Sequence, residues 1–223
     1  MQTPLIKVCG MREPQNIQLV ELANPDMMGF IFYPQSPRYV GEEPPTYLPD
    51  LQRVGVFVNP TPAQVISAMS RYALTALQFH GQESPAFITQ LRQMLADFDF
   101  SPLIIKALQV SPQGGLPNTA PYRTCCHYIL FDTATAGHGG SGKTFNWQLL
   151  TQYDGDIPFF VSGGISPTHL SQLLAISHPL FAGIDINSGF ETAPGVKDPV
   201  LVADFILSIR NNTQQPNTHE PHQ

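Results

Sequence analysis

Charge is scarce in this chain of 223 residues: Asp, Glu, Lys and Arg make up 13% of it, about half the usual share, and only 11 residues are Lys or Arg. With a formal charge of −6 and no basic cluster, it has nothing with which to displace counterions from a phosphate backbone, which argues against a nucleic-acid partner. An anionic small substrate would have to be met by backbone N–H groups at helix starts, which supply positive potential without net charge. Cysteine is nearly absent too. Cys9 and the adjacent Cys125 and Cys126 form neither a disulfide framework nor the spacing of a metal site, and Cys125-Cys126-His127 reads as the start of a buried strand. No apolar run reaches the roughly 18 residues that suggest a membrane span, and the first residues lack the pattern of a secretory signal. The expected setting is the reducing, cytoplasmic compartment, with no membrane partner.

What the chain does have is apolar material, 42% of its residues, enough for a substantial core in one large α/β domain. Short apolar runs recur at Leu5–Val8, Met28–Phe32, Val54–Val58, Ala76–Phe79, Leu103–Ala107, Tyr128–Phe131, Pro158–Val161 and Gly183–Ile186. Each is short and almost continuously apolar, as parallel strands covered on both faces are. Helices are expected over Pro14–Ala23, Pro62–Met69, Pro85–Ala96, Pro167–Ala175 and Asp198–Ile209, several of them opened by proline behind a Ser or Thr cap. The crossovers after the second and fifth runs are rich in proline and are expected to lack a full helix. Eight βα units in so short a chain indicate a compact α/β (β/α)8 barrel of the TIM type, one domain over residues 1–210. Residues 211–223 are polar and contain proline, and are expected to form a disordered tail.

One stretch invites a different reading. Residues Gly137 to Thr144 fit G-x-x-x-x-G-K-[ST], the pattern of a nucleotide-binding P-loop. A P-loop needs a strand that ends directly in the first glycine, and here Asp132-Thr-Ala-Thr-Ala136 intervenes. A glycine-rich loop across a barrel mouth is the better reading.

In such a barrel, chemistry collects at the carboxyl ends of the strands. Those ends supply Lys7 and Cys9, Arg38, His80, Asp132, Gly163-Gly164, and Asp185 with Ser188-Gly189. Lys7 and Cys9, two apart on a strand, share one face, so both would point into the barrel. A basic cysteine needs a positive neighbour, and Lys7 can serve as one. Strand 8 closes against strand 1, which is expected to bring Asp185 to Lys7.

The same residues resemble a family. Lys7-Val-Cys-Gly10, Gly29-Phe-Ile-Phe32 with Ser36-Pro-Arg38, Val54-Gly-Val-Phe-Val58, Gln78-Phe-His-Gly81, Asp132-Thr with Gly139-Gly-Ser-Gly142, Ser162-Gly-Gly164, and Asp185-Ile-Asn-Ser-Gly189 with Pro194-Gly-Val-Lys-Asp198 are similar, in order, to the motifs of phosphoribosylanthranilate isomerases. The resemblance implies a tryptophan-biosynthetic TIM barrel that performs an Amadori rearrangement on a small phosphorylated substrate, as monomer or homodimer, with no cofactor and no metal. It implies Asp132 as general acid and Cys9 as general base, and it makes the glycine run a loop beside the acid. Arg38 is the natural partner of the anthranilate carboxylate. Backbone N–H groups of Gly163, Gly164, Ser188 and Gly189 are expected to hold the phosphate. His80 fits either a place in the site or that of a satisfied core histidine. The chain departs from the family's usual Gly-Gly-Thr-Gly, Phe-Asp-Trp and Gln-Leu-His at Ser141, Asn146 and Phe79. Asn146 lacks a carboxylate but can still cap a helix.

Overall fold

Eight parallel strands close on themselves in chain order: β1 Leu5–Val8, β2 Met27–Ile31, β3 Gln52–Phe57, β4 Ala76–Phe79, β5 Leu103–Val110, β6 Tyr128–Thr133, β7 Phe159–Val161 and β8 Phe181–Ile186. The structure, a computed structural model, describes residues 3–111, 114–133 and 144–214. β8 returns to β1 in a register that sets Lys7 opposite Asp185. Side chains alternate across this sheet, and the alternation divides the core in two. Val54, Val56, Ala76, Ile105, Leu130 and Phe160 fill the barrel interior with Cys9 and Met27. Ile6, Val8, Phe30, Leu77, Phe79, Ile104, Ile129 and Phe131 point outward into a larger layer under the helices.

The helices are α1 Pro14–Glu21, α2 Pro62–Tyr72, α3 Pro85–Ala96, α4 Leu170–Leu174 and α5 Pro199–Gln214. Their starts follow local chemistry. Thr61 Oγ1 accepts from the Gln64 backbone N–H while Gln64 Oε1 accepts from that of Thr61, a reciprocal cap, and Ser84 Oγ accepts from Phe87 N–H. Among the described residues, the crossover after β2 contains no helix and that after β5 only a 3-10 turn at Ala120–Tyr122. Among its described residues, the crossover after β6 carries a 3-10 helix, Trp147–Gln152, whose Gln148 N–H is capped by Asn146 Oδ1 at 3.0 Å. The anticipated capping role of Asn146 is therefore present.

The structure differs from the sequence expectations at several element ends: α2 runs three residues past Met69, β3 and β8 each start two residues early, and the helix expected over Pro167–Ala175 is a 3-10 turn, Pro167–His169, followed by α4. β5 continues three residues past Ala107, and β6 two past Phe131, because pairing extends to Val110 with Thr133. The expected tail boundary falls inside α5, which continues to Gln214, with Asn212 Nδ2 and Thr213 Oγ1 donating to the Ser208 and Ile209 carbonyls one turn back. Residues 215–223 lie outside the described residues. A hairpin absent from the sequence reading, β9 Glu191–Ala193 with β10 Val196–Lys197, follows β8. Of the P-loop-like stretch, Gly137 to Lys143 lies outside the described residues. Its approach is visible: β6 ends at Thr133, short of Gly137. Among the described residues, no helix is long and apolar enough to cross a membrane.

Candidate active site

β1 carries Lys7 and Cys9 into the upper barrel, where almost nothing of either is exposed. Lys7 Nζ donates to Asp185 Oδ1 at 2.9 Å, the ion pair expected from barrel closure. Neighbouring β2 makes room for both side chains by having no side chain of its own at Gly29. A Cβ there would stand 2.8 Å from Cys9 Sγ and 3.2 Å from Lys7 Nζ.

The electrostatics at Cys9 differ from the expectation. Burial pushes the thiol above its ordinary value, and the pull of Lys7 in the other direction is insufficient. Lys7 itself is driven down by burial but held above its ordinary value by Asp185 and Cys9, so its charge is already committed to a carboxylate. Burial pushes the Asp185 carboxyl up, against Lys7. A thiol raised above its ordinary value favours the protonated form at neutral pH.

Across the cavity from Cys9, β6 presents Asp132, almost fully buried. Its Oδ2 lies 3.2 Å from Nε2 of His80, at the end of β4, so His80 belongs to the site rather than the core. The next residue, Thr133, accepts from Phe145 N–H at 3.0 Å and ties the returning chain beside Asp132. Cys9, His80, Asp132 and Asp185 line one cavity with Gly163, Gly164 and Ser188. Gly189 is not among the residues that line it, and a Cβ there would meet the Ile165 carbonyl oxygen at 2.1 Å.

Arg38 is not among the residues that line the cavity, and it is held by Glu191, a group the sequence does not single out. Its Nε and Nη2 donate to Glu191 Oε1 and Oε2 at 2.8 and 2.7 Å. Glu191 also receives Lys197 Nζ at 2.6 Å and Gly195 N–H at 3.0 Å. Burial raises the Glu191 carboxyl, but Arg38 and Lys197 outweigh it and hold it below its ordinary value. Lys197 is fully buried, donates to Asn187 Oδ1 at 2.8 Å, and has its backbone fastened to Asn16 of α1 at 2.7 and 2.8 Å. The β9–β10 hairpin thus delivers a carboxylate and a second cation to the arginine. The motif around Pro194-Gly-Val-Lys-Asp198 pointed to this segment, yet not to Glu191.

Gln78 was also overlooked as a site residue. It lines the cavity, and its buried Oε1 has no hydrogen-bond partner among the described residues. Tyr33, Ser36 and Asn187 also line the cavity. Among the described residues, no three His, Cys, Asp or Glu side chains are grouped to hold a metal ion.

The family profile for N-(5'-phosphoribosyl)anthranilate (PRA) isomerase matches residues 6–208, nearly the whole barrel. The chain belongs to the phosphoribosylanthranilate isomerase family. It is an isomerase of tryptophan biosynthesis. Among its relatives, the N-(5'-phosphoribosyl)anthranilate isomerase of Phocaeicola vulgatus is 45% identical over 94% of this chain and 100% of its own length. That of Parabacteroides distasonis is 43% identical over 92% and 93%. Among solved structures, the phosphoribosyl anthranilate isomerase of Thermotoga maritima superposes with a TM-score of 0.73 at 32% identity, covering 93% of this chain and 99% of that one. A further isomerase of the family, solved with reduced 1-(o-carboxyphenylamino)-1-deoxyribulose 5-phosphate, has a TM-score of 0.69 at 28% identity and covers 93% and 99%. The closed eight-stranded barrel of this chain is thus the fold of phosphoribosylanthranilate isomerases.

Proposed function

We propose that the chain converts N-(5-phosphoribosyl)anthranilate to 1-(2-carboxyphenylamino)-1-deoxyribulose 5-phosphate, with Asp132 as general acid and Cys9 as general base. The observation that carries this reading is that one cavity at the carboxyl end of a barrel of this family is lined by both residues, Cys9 directly after β1 and Asp132 in β6. The structure of a family member holding the reduced product supports the choice of ligand.

The reaction needs a proton delivered to the ribose ring oxygen and another removed from C2′. Asp132, steadied by His80, gives its proton to the ring oxygen as the C1′–O bond breaks and the anilino nitrogen forms an iminium. Cys9 as thiolate then takes the C2′ proton, and the electron pair moves into the C1′–C2′ bond to give an enolamine. The enol gives up its hydroxyl proton and C1′ gains one, which completes the ketone without net change in composition. Cys9 rests as a thiol, so before it can act as the base its own proton must pass to water, and the intermediate itself must favour that ionisation. A cationic iminium beside the sulfur does so, added to Lys7 and the more distant Lys197.

The two anionic ends of the substrate find separate supports. Glu191 occupies the Nε side of Arg38, so the substrate carboxylate is taken on the Nη1–Nη2 edge, a second bidentate fork. Arg38 and Lys197 against Glu191 leave one net positive charge there to meet it. The phosphate is held by backbone N–H groups of Gly163, Gly164, Ser188 and Gly189, the position between strands 7 and 8 common to such barrels. The test is to mix the chain with freshly made phosphoribosylanthranilate and follow loss of the anthranilate-type fluorescence, with EDTA present in a parallel sample. Decay in both, absent without protein, is the expected result; a fluorescence trace unchanged by the chain overturns the reading.

A further inference from the structure

β5 contains a lysine, Lys106, in the apolar run Leu-Ile-Ile-Lys-Ala, and it ends up as buried as its neighbours. Its ammonium group does not line the active-site cavity. It donates to the carbonyls of Phe79 and Gly81 at 3.2 and 2.8 Å, to that of Ala107 at 3.0 Å, and to Glu83 Oε2 at 3.2 Å. Phe79 and Gly81 are the two residues that flank His80. Glu83, equally buried, accepts from Gly81 N–H at 3.0 Å and from Asn59 N–H, at the end of β3, at 2.7 Å. The His80 backbone N–H is bonded in turn to Phe57 O at 2.8 Å. Gly81 fits only because it lacks a side chain, since a Cβ would stand 2.5 Å from Asn59 Oδ1 and 2.8 Å from Glu83 Oε1. Tyr122, from the 3-10 turn after β5, covers the pair and donates to Glu83 O at 3.2 Å.

Stability alone gives no reason for this arrangement. Taking a lysine and a glutamate out of water costs several kcal/mol for each ion, and packed apolar residues of similar volume commonly do as well or better. What an apolar pair cannot do is bond both carbonyls beside one particular residue. We propose that Lys106 and Glu83 are positioning residues for the isomerisation: their ion pair holds the turn after β4 so that the His80 imidazole stays on Asp132. The inference rests on the assignment of Asp132 as the acid. The ion pair acts through His80 and touches no substrate.

Removing one partner alone would leave a buried unpaired charge and risk misfolding, so the test replaces both, as Glu83→Leu/Lys106→Met, and combines this with His80→Ala. Circular dichroism and thermal unfolding verify the fold. The expected result is a folded double variant whose kcat falls about 10- to 100-fold, as a displaced catalytic group implies, with KM changed by no more than about twofold. In the His80→Ala background the same double replacement should lower kcat little further, because the group it positions is already gone. A folded double variant with wild-type kcat, or an equal loss in both backgrounds, overturns the proposal. If the unaltered chain fails to isomerise phosphoribosylanthranilate, the functional assignment fails instead. The ion pair is then judged by the His80 imidazole NMR signals: a shift in the double variant supports positioning, and unchanged signals overturn it. If the double variant does not fold, Lys106→Arg, which keeps the charge but cannot place one nitrogen on all four acceptors, decides by the same kcat and NMR readings.

Discussion

Gly29→Ala places one methyl group where three atoms of the site converge. β2 pairs with β1 on one side and β3 on the other, so its backbone at Gly29 cannot swing away without breaking the ladder. The added Cβ would stand 2.8 Å from Cys9 Sγ, 3.1 Å from Cys9 Cα and 3.2 Å from Lys7 Nζ. Sulfur can rotate, but the Cys9 backbone cannot, and Lys7 is fixed by Asp185 at 2.9 Å. Restoring ordinary contact moves the sulfur by about 0.6 Å and strains β1 besides, an overpacking that costs roughly 1–3 kcal/mol. For a domain of this size, about 2 kcal/mol corresponds to a fall in Tm of about 4–8 °C. A base displaced by that distance should also lose about tenfold or more in kcat, given the steep dependence of proton transfer on geometry. Differential scanning calorimetry and steady-state fluorescence kinetics read the two effects. Gly115→Ala, where a Cβ meets nothing within 4 Å, is the control and should change neither. Wild-type Tm and kcat in Gly29→Ala would refute the claim that Gly29 exists to admit Cys9 and Lys7.

Other perturbations follow from the same geometry. Cys9→Ser and Asp132→Asn should each lower kcat by about 10²- to 10⁴-fold with the fold intact, and near-full activity in either variant removes that residue from its role. Arg38→Ala should act mainly on KM, because the carboxylate is held alike in ground and transition states; Arg38→Lys should restore only part, since a point charge cannot serve both Glu191 and the substrate. A large loss of kcat at unchanged KM contradicts that role. The pH profile has a definite sign. Cys9 works deprotonated and its resting pKa is raised, so kcat/KM, which reports the free enzyme, should climb with pH through a limb above the ordinary thiol value of 9.0. The corresponding limb in kcat should lie lower, because the iminium is then present, and both limbs should vanish in Cys9→Ser. A profile identical in Cys9→Ser and the unaltered chain refutes the assignment of the limb to this thiol.

Much of the fold was legible because it is written in short-range patterns. Apolar runs, prolines at helix starts, and Thr61 and Ser84 before them are local signals, and they located eight strands and most helices to within a few residues. Even the pairing of Lys7 with Asp185, 178 residues apart, followed from one topological rule, that the eighth strand closes on the first. The end of α5 was misplaced because polar residues late in a helix look like the start of a tail. Their side chains in fact bond to the preceding turn.

The residue types of the site were also readable, since strand ends in a barrel converge whatever lies between them. What Cys9, Arg38 and His80 experience was not. The state of Cys9 is the difference between two large opposing effects, burial and the field of Lys7, and their balance depends on how completely the barrel excludes water and on Asp185 claiming the ammonium charge first. Arg38 meets Glu191 across 153 residues through a two-stranded hairpin too short to leave a periodic trace. Lys106 reads in sequence as one polar interruption of an apolar strand. Only the pairing of β4 with β3 and β5 sets them around it and turns its ammonium group toward the two carbonyls beside His80. Periodicity along a chain determines which face a residue takes; the sum of charges, carbonyls and excluded water around that residue belongs to the packed barrel.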